Sequence, residues 1–247
     1  MDTIRTTQEQ YKINGEYTMN RQVLHQHIIS YFMSEDNLNN NDPEAILLGG
    51  GTASGKSKLA KLLISGYAAD EINLIRIDPD EIKNLIPEFR SVKAFNPEIA
   101  ADFVHDESSD IANDLLSLCI RKKVSFIYDG TMKNFPKYQK LINRLINEGY
   151  TVTASVVDVP IEVAREREHL RYLETKRKVN EDVLLESHRS VPETFYNLKD
   201  LVHEYIVYDA TEDGVIVEIA EKTEDGVEII HDAEKLERFY EKSGIKL

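Results

Sequence analysis

Apolar, β-branched runs recur along the chain at 45–49 (AILLG), 72–78 (INLIRID), 124–129 (VSFIYD), 151–159 (TVTASVVDV) and 205–209 (YIVYD). Helical spacing of apolar residues fills the intervals at 56–67, 80–86, 98–120, 134–148, 160–177 and 180–200. The runs are continuously apolar, as in strands buried on both faces. Strand and helix in alternation predict an α/β fold with a central parallel sheet and helices on both faces.

The two ends depart from this rhythm. Residues 1–20 are polar and unpatterned, and 21–33 (RQVLHQHIISYFM) predict an amphipathic helix with Val23, His27, Ile28 and Phe32 on one side. A polar linker, SEDNLNNNDP, follows at 34–43. The expected division is a helical appendage and linker over 1–43 and a main domain over 44–247. TEDGV occurs at 211–215 and again at 223–227, so 205–231 predicts an antiparallel meander with Asp-Gly turns. A charged helix over 233–243 closes the chain.

Composition narrows the partners. The net charge of −14 argues against nucleic acid, which needs a basic footprint. No stretch approaches the ~18 apolar residues of a membrane span, and the N-terminus lacks the apolar core of a secretory signal. The expected location is the cytoplasm. The single cysteine, Cys119, shares a helical face with Ile111, Leu115 and Leu118 and is read as a core residue.

Candidate chemistry begins at Gly50–Ser57, GGTASGKS, which fits the phosphate-loop pattern G-x-x-x-x-G-K-[ST] between a strand and a helix. Gly50, Gly51, Thr52, Ala53, Ser54 and Gly55 would turn backbone N–H groups around a nucleotide phosphate, with the helix N-terminus adding donors. Lys56 would bridge the β- and γ-phosphates and Ser57 would hold Mg²⁺. ATP is the default nucleotide. Ligands bind beyond the carboxyl ends of parallel strands. That puts Asp78 and Asp80 of RIDPDEIK at the reacting edge, where Asp80 either takes a proton from a substrate hydroxyl or caps a helix beginning at Glu81. Asp129 of YDGTMKN would orient a magnesium-bound water, with Thr131 nearby. Glu107 and Ser108 of HDESSDIA would meet sugar hydroxyls, unless Ser108 or Asp106 only caps the following helix; His105 is read as structural. In REREHLRYLETKRK, residues 165–178, Arg167, Arg171 and Lys178 share one helical side and Arg177 stands near the end. They are either a phosphate-neutralising lid or a solvated face laced with Glu166, Glu168 and Glu174.

In this order and spacing, GGTASGKS, IDPDEIK, HDESSDIA, YDGT and the stretch from Val159 to Tyr172 resemble the zeta-toxin family of P-loop kinases, over roughly residues 20–230. RQVLH at 21–25 resembles the lead-in helix of many such chains. The resemblance implies ATP-dependent phosphorylation of the 3′-hydroxyl of the N-acetylglucosamine moiety of UDP-N-acetylglucosamine, by a toxin that an antitoxin protein restrains. It places the base on Asp80, the phosphate and magnesium roles on Lys56 and Ser57, and the sugar-nucleotide contact on Thr131. Arg171 and Arg177 fall on the arginines that clamp ATP. Lys133 stands where some members have arginine, which keeps the charge and loses bidentate binding. Asp129 stands where some have glutamate. Two other readings share these residues: a P-loop kinase for a nucleoside, antibiotic or amino acid derivative, and a nucleotide-dependent switch with no phosphorylated acceptor.

Overall fold

The computed structural model of the chain describes residues 5–33, 42–175 and 179–246. It opens with α1 (Thr7–Tyr11), the short strands β1 (Lys12–Ile13) and β2 (Glu16–Tyr17), and α2 (Met19–Phe32). Thr6 and Glu9 close a reciprocal capping box on α1. Asn14 and Gly15, at φ of 54° and 87°, form the two-residue turn between β1 and β2.

The main sheet follows: β3 (Glu44–Gly49), α3 (Lys56–Ala69), β4 (Ile75–Ile77), α4 (Pro79–Lys83), α5 (Pro87–Phe95), α6 (Pro97–Phe103), α7 (His105–Lys122), β5 (Phe126–Tyr128), α8 (Phe135–Asn147), β6 (Thr151–Asp158), α9 (Ile161–Thr175), α10 (Glu181–Leu198) and β7 (Glu204–Asp209). It ends in β8 (Val217–Lys222), β9 (Glu228–Ile230) and α11 (Ala233–Glu241). The strand order is β4-β5-β3-β6-β7-β8-β9. The first five are parallel, and β8 and β9 are antiparallel. From β3 the chain goes to the edge strand β4, returns to β5 beside β3, and then crosses to β6 on the other side, so the loop after β3 sits at the topological switch point.

Side chains of β3 alternate between two apolar clusters. Ala45 and Leu47 enter one with Ile111, Leu115, Ile142 and Phe195; Ile46 and Leu48 enter the other with Leu59, Ala60, Ala164 and Leu184. Helices therefore cover both faces, and Cys119 is fully buried in the first cluster.

Three expectations about elements change. The helix expected over 98–120 is two, α6 and α7, broken at Val104, whose φ of −114° and ψ of 3° leave the helical region. The unexpected helix α5 starts at Pro87, and Pro97 in turn opens α6, because proline is tolerated at the first helical position. Both TEDGV segments carry a turn, with the Val215 N–H on the Glu212 carbonyl at 3.2 Å and Thr223 and Val227 bonded at 3.0 Å, but the first is set in a longer loop between β7 and β8.

The described residues of the segment expected as an appendage lie against α7. The buried face of α2 is Arg21, His25 and Ile28, while Val23 and His27 are exposed, contrary to the apolar pattern. The reason is the partner. Arg21 Nε and Nη2 donate to Glu107 at 2.5 and 2.7 Å, and Nη1 and Nη2 donate to Glu88 of α5 at 2.8 and 2.9 Å. His25 Nε2 lies 2.7 Å from Glu107 Oε1. Asp110, one turn on, accepts from Gln8, Lys12 and Tyr17. Burial alone would raise the Glu107 carboxyl, but the Arg21 and His25 bonds prevail and hold it at about 2.

Replacing Arg21 by Met leaves a buried carboxylate without its guanidinium. The expected loss is about 3–5 kcal/mol in urea denaturation, much of it recovered in the Arg21→Met, Glu107→Leu double variant. The folded-state pKa of Glu107 is depressed, so its contribution is complete above the ordinary carboxylate value of about 4.3 and is lost as pH falls towards 2. Acid-titrated stability of the wild type should therefore fall more steeply over that window than that of the double variant.

Candidate active site

β3 delivers the chain into Gly50–Gly55, and Gly55, at φ 101°, caps α3. A methyl carbon on Gly50 would sit 2.6 Å from both Ser54 Oγ and the Val157 carbonyl oxygen; one on Gly51 would sit 2.4 Å from the His188 ring. Only glycine fits at either position. Ala53 occupies the left-handed region at φ 59°. Lys56 Nζ folds back onto the loop, donating to the Gly50 and Gly51 carbonyls at 2.8 and 2.9 Å. Burial lowers its ammonium to about 8; Asp129, Asp80 and Asp78 push the value up and Arg171 pushes it down.

The aspartates divide their work differently from expectation. Asp78, not Asp80, caps the helix after β4, accepting from the Asp80 N–H at 2.8 Å, with Pro79 at the first helical position. The other oxygen of Asp78 meets Arg76 at 2.8 Å. Burial and the neighbouring Asp129 raise the Asp78 carboxyl to about 6 against the pull of Arg76. Asp80 projects from α4 with its side chain 64% exposed, and Lys83 Nζ, itself buried, holds Asp80 Oδ1 at 2.7 Å. Asp129, at the end of β5, is gripped by Arg76 Nη2 at 2.5 Å and Nε at 3.1 Å. One guanidinium thus ties the carboxyl ends of β4 and β5 together.

The loop after β5 also touches the phosphate loop, since the Thr131 carbonyl accepts from the Gly50 N–H at 3.2 Å. Thr131 is half-buried and Lys133 is exposed. A methyl carbon on Gly130 would lie 2.0 Å from the Tyr138 hydroxyl. Glu107 and Ser108, expected at sugar hydroxyls, require correction. Both are fully buried; Glu107 is bonded by Arg21 and His25, and Ser108 Oγ donates to the His105 carbonyl. Neither Ser108 nor Asp106 caps α7, whose N-cap is Val104 with no side-chain cap.

On α9, Arg171 pairs with Glu168, and Arg167 Nη2 donates to the Ala210 carbonyl at 2.7 Å, reaching the loop after β7. Arg177 and Lys178 lie outside the described residues. Sequence reasoning missed Arg76, Lys83 and the α10 pair Ser187 and His188, which bond Thr52. The first two are the end residues of RIDPDEIK and flank its acids, so the motif itself offered both. The α10 pair carried no motif.

The donor set suits a magnesium nucleotide. Three glycine positions turn at positive φ or leave no space for a side chain, and the buried Ser54 Oγ has no partner. Ser57 is exposed at the start of α3, and Asp129 adds a carboxylate; both are oxygen donors of the kind Mg²⁺ takes.

No curated protein sequence matches the chain. Solved structures do. A chain from the PezAT chromosomal toxin–antitoxin system of Streptococcus pneumoniae superposes with a TM-score of 0.65 and 18% identity, over 81% of this chain and 80% of that one. The AvrRxo1-ORF1:AvrRxo1-ORF2 complex with sulphate ions reaches 0.75 at 18% identity, over 96% and 82%. The same complex with ATP reaches 0.73 at 18%, with the same coverage. At such identities the likeness concerns the fold, which is that of a P-loop kinase. A family model described as Zeta toxin matches residues 30–224, and with most of its length matched, this chain belongs to the zeta toxin family.

Proposed function

We propose that the protein is an ATP-dependent kinase that phosphorylates a sugar-nucleotide hydroxyl, the 3′-hydroxyl of the N-acetylglucosamine moiety of UDP-N-acetylglucosamine. The observation that carries this reading is the shared strand edge. Lys56 follows the carboxyl end of β3 and Asp80, the exposed carboxylate on α4, follows that of β4, and the two strands run parallel in one sheet. The ATP-bound AvrRxo1 complex, which shares the fold, supports ATP as the donor.

In this mechanism Gly50–Gly55 and the N-terminus of α3 bind the phosphates, and Lys56 leaves its two carbonyl partners to neutralise the β- and γ-oxygens. Asp80, steadied by Lys83, takes the proton of the attacking hydroxyl. A bond forms from that oxygen to the γ-phosphorus while the bond to the β,γ-bridging oxygen breaks, and ADP departs with the electron pair. Arg171 balances charge on the transferring group, with Arg177 assigned the same role. Ser57 and Asp129 would hold Mg²⁺, whose contribution when bound is to neutralise developing phosphate charge. Thr131 and Lys133 face the acceptor. Asp78 serves as a cap and as a partner of Arg76, which leaves Asp80 as the base. A protein partner that restrains activity is part of the proposal, supported by the toxin–antitoxin origin of a structural relative.

Incubation with Mg-ATP and a metabolite panel should yield UDP-N-acetylglucosamine heavier by one phosphate; a different phosphorylated acceptor would reassign the substrate, and none at all would favour the switch. Lys56→Ala should abolish transfer. Asp80→Asn should lower kcat by about 10²–10⁴, the usual contribution of a general base, while the affinity for ATP in calorimetry stays within about twofold. An Asp80→Asn enzyme with near-wild-type kcat would remove the base assignment.

A further inference from the structure

Thr52, in the middle of the phosphate loop, is held from outside by α10 through both of its backbone groups. Its N–H donates to Ser187 Oγ at 2.9 Å, and its carbonyl accepts from His188 Nε2 at 2.9 Å. Ser187 Oγ in turn donates to the Leu184 carbonyl at 2.7 Å, so its lone pairs are turned to the loop. The His188 ring also fills the space beside Gly51 that a side chain would need. Both residues are buried, and α10 is anchored beyond them by Val191, Phe195 and Leu198 in the core.

A trans peptide points its C=O and N–H in opposite directions. Drawing the Thr52 carbonyl to His188 therefore aims the next N–H, that of Ala53, away from α10. Ala53 is in the left-handed region, which a residue with a side chain rarely occupies without its surroundings enforcing it. Successive N–H groups around such a residue make an anion-binding concavity. The contacts from α10 thus impose the backbone that turns donors toward a phosphate.

The chemistry of His188 fixes its role further. A carbonyl only accepts, so Nε2 carries the proton and Nδ1 is bare; Nδ1 is buried with no partner. Burial, with Lys242 and Lys56 adding repulsion, lowers the imidazole to about 4. At neutral pH the residue supplies one hydrogen bond and no positive charge. That separates it from the arginines and lysines expected to touch phosphate.

We infer that Ser187 and His188 are positioning residues, which act through Thr52 to hold the phosphate loop in its nucleotide-binding shape before nucleotide arrives. The inference rests on the reading of the loop as an ATP site. It requires no contact between α10 and the nucleotide.

The test is calorimetric binding of Mg-ATP to full-length wild type, Ser187→Ala, His188→Leu and His188→Gln, with thermal unfolding of each. Glutamine places an N–H near the position of Nε2; leucine fills the space without one. Losing one buried hydrogen bond should weaken Mg-ATP binding about tenfold or more in Ser187→Ala and His188→Leu, with KM for ATP rising more than kcat falls. His188→Gln should restore most of the affinity. A purely structural role predicts a lower Tm with unchanged affinity, and that result overturns the inference. So does a glutamine variant as weak as the leucine one, which would assign the effect to shape. Should His188→Leu fail to fold, Ser187→Ala decides: wild-type affinity there overturns the proposal. A wild type that binds no nucleoside triphosphate refutes the ATP reading and this one with it, whereas tight wild-type binding shared equally by Ser187→Ala and His188→Leu refutes this one alone.

Discussion

The loop after β3 has no room for a side chain at its entry. Gly49 is pressed by Met132 and Val156, Gly50 by Ser54 and the Val157 carbonyl, and Gly51 by His188. Apart from Ser54 of the loop itself, these neighbours come from three other parts of the chain: the loop after β5, the end of β6, and α10. This close approach is possible only for glycine, and it makes the phosphate loop the point where the elements around β3 converge. The rest of the candidate site depends on that packing. Thr131 reaches the Gly50 N–H because the β5 loop lies against β3, and Ser187 reaches Thr52 because α10 does.

The second organising contact is Arg76. Two carboxylates at the ends of neighbouring strands repel, and the guanidinium between Asp78 and Asp129 makes their proximity tolerable. It cannot fully offset burial at Asp78, whose carboxyl remains raised. Asp80, two residues on, escapes both constraints. It is carried outward by α4 and paired with an ammonium instead of sharing the Arg76 guanidinium. Neighbouring acids of one short motif thus differ in burial and partner, and such differences set which acid caps, which bridges and which meets a substrate.

The parallel strands and the phosphate loop were legible because their signals are local. Doubly buried strands read as unbroken apolar runs, and a glycine-rich turn between strand and helix leaves a fixed spacing. The order β4-β5-β3-β6-β7 accords with that reading. What stayed hidden depends on partners distant in sequence. α2 turns Arg21 and His25 inward because a carboxylate on α7 waits there, which no apolar periodicity reports. Glu107 and Ser108 looked like ligand contacts by composition and proved to be internal connections. Two local signals were there to be read: Asn14-Gly15, a strong hairpin marker, and Thr6 with Glu9, a capping box. Both lie within residues 1–20, which carry no apolar period. The roles of Asp80, Thr131 and the arginines rest on resemblance and position, because function is chemistry with a ligand and the chain alone supplies half of that pair.

The two ends of the chain reach beyond the matched residues 30–224, and each is tied down by buried charge of a different energetic character, the first end to α7 and the second to the sheet. At the N-terminal end pairing outweighs burial: Arg21 and His25 hold Glu107 far below the ordinary carboxylate range. At the C-terminal end burial outweighs pairing in one pair, Asp158 with Lys242. Lys242 meets both oxygens of Asp158, at 2.5 and 2.6 Å, and the Val159 carbonyl at 2.6 Å, yet the carboxyl is pushed up and the ammonium down. A buried pair in that condition adds little to stability compared with apolar residues of the same volume. What it does supply is register. Arg238 and Lys235 of α11 reach Asp209, the β7 residue opposite Asp158, so three cations on one short segment meet the carboxyl ends of two adjacent strands. Sliding α11 by one turn would leave those acids buried without partners, a far larger penalty than the pairs themselves are worth. Asp158 ends the strand whose Val156 pairs with Gly49 and whose Val157 carbonyl presses on Gly50, so the segment carrying Lys235, Arg238 and Lys242 is placed by the same edge that carries the phosphate loop.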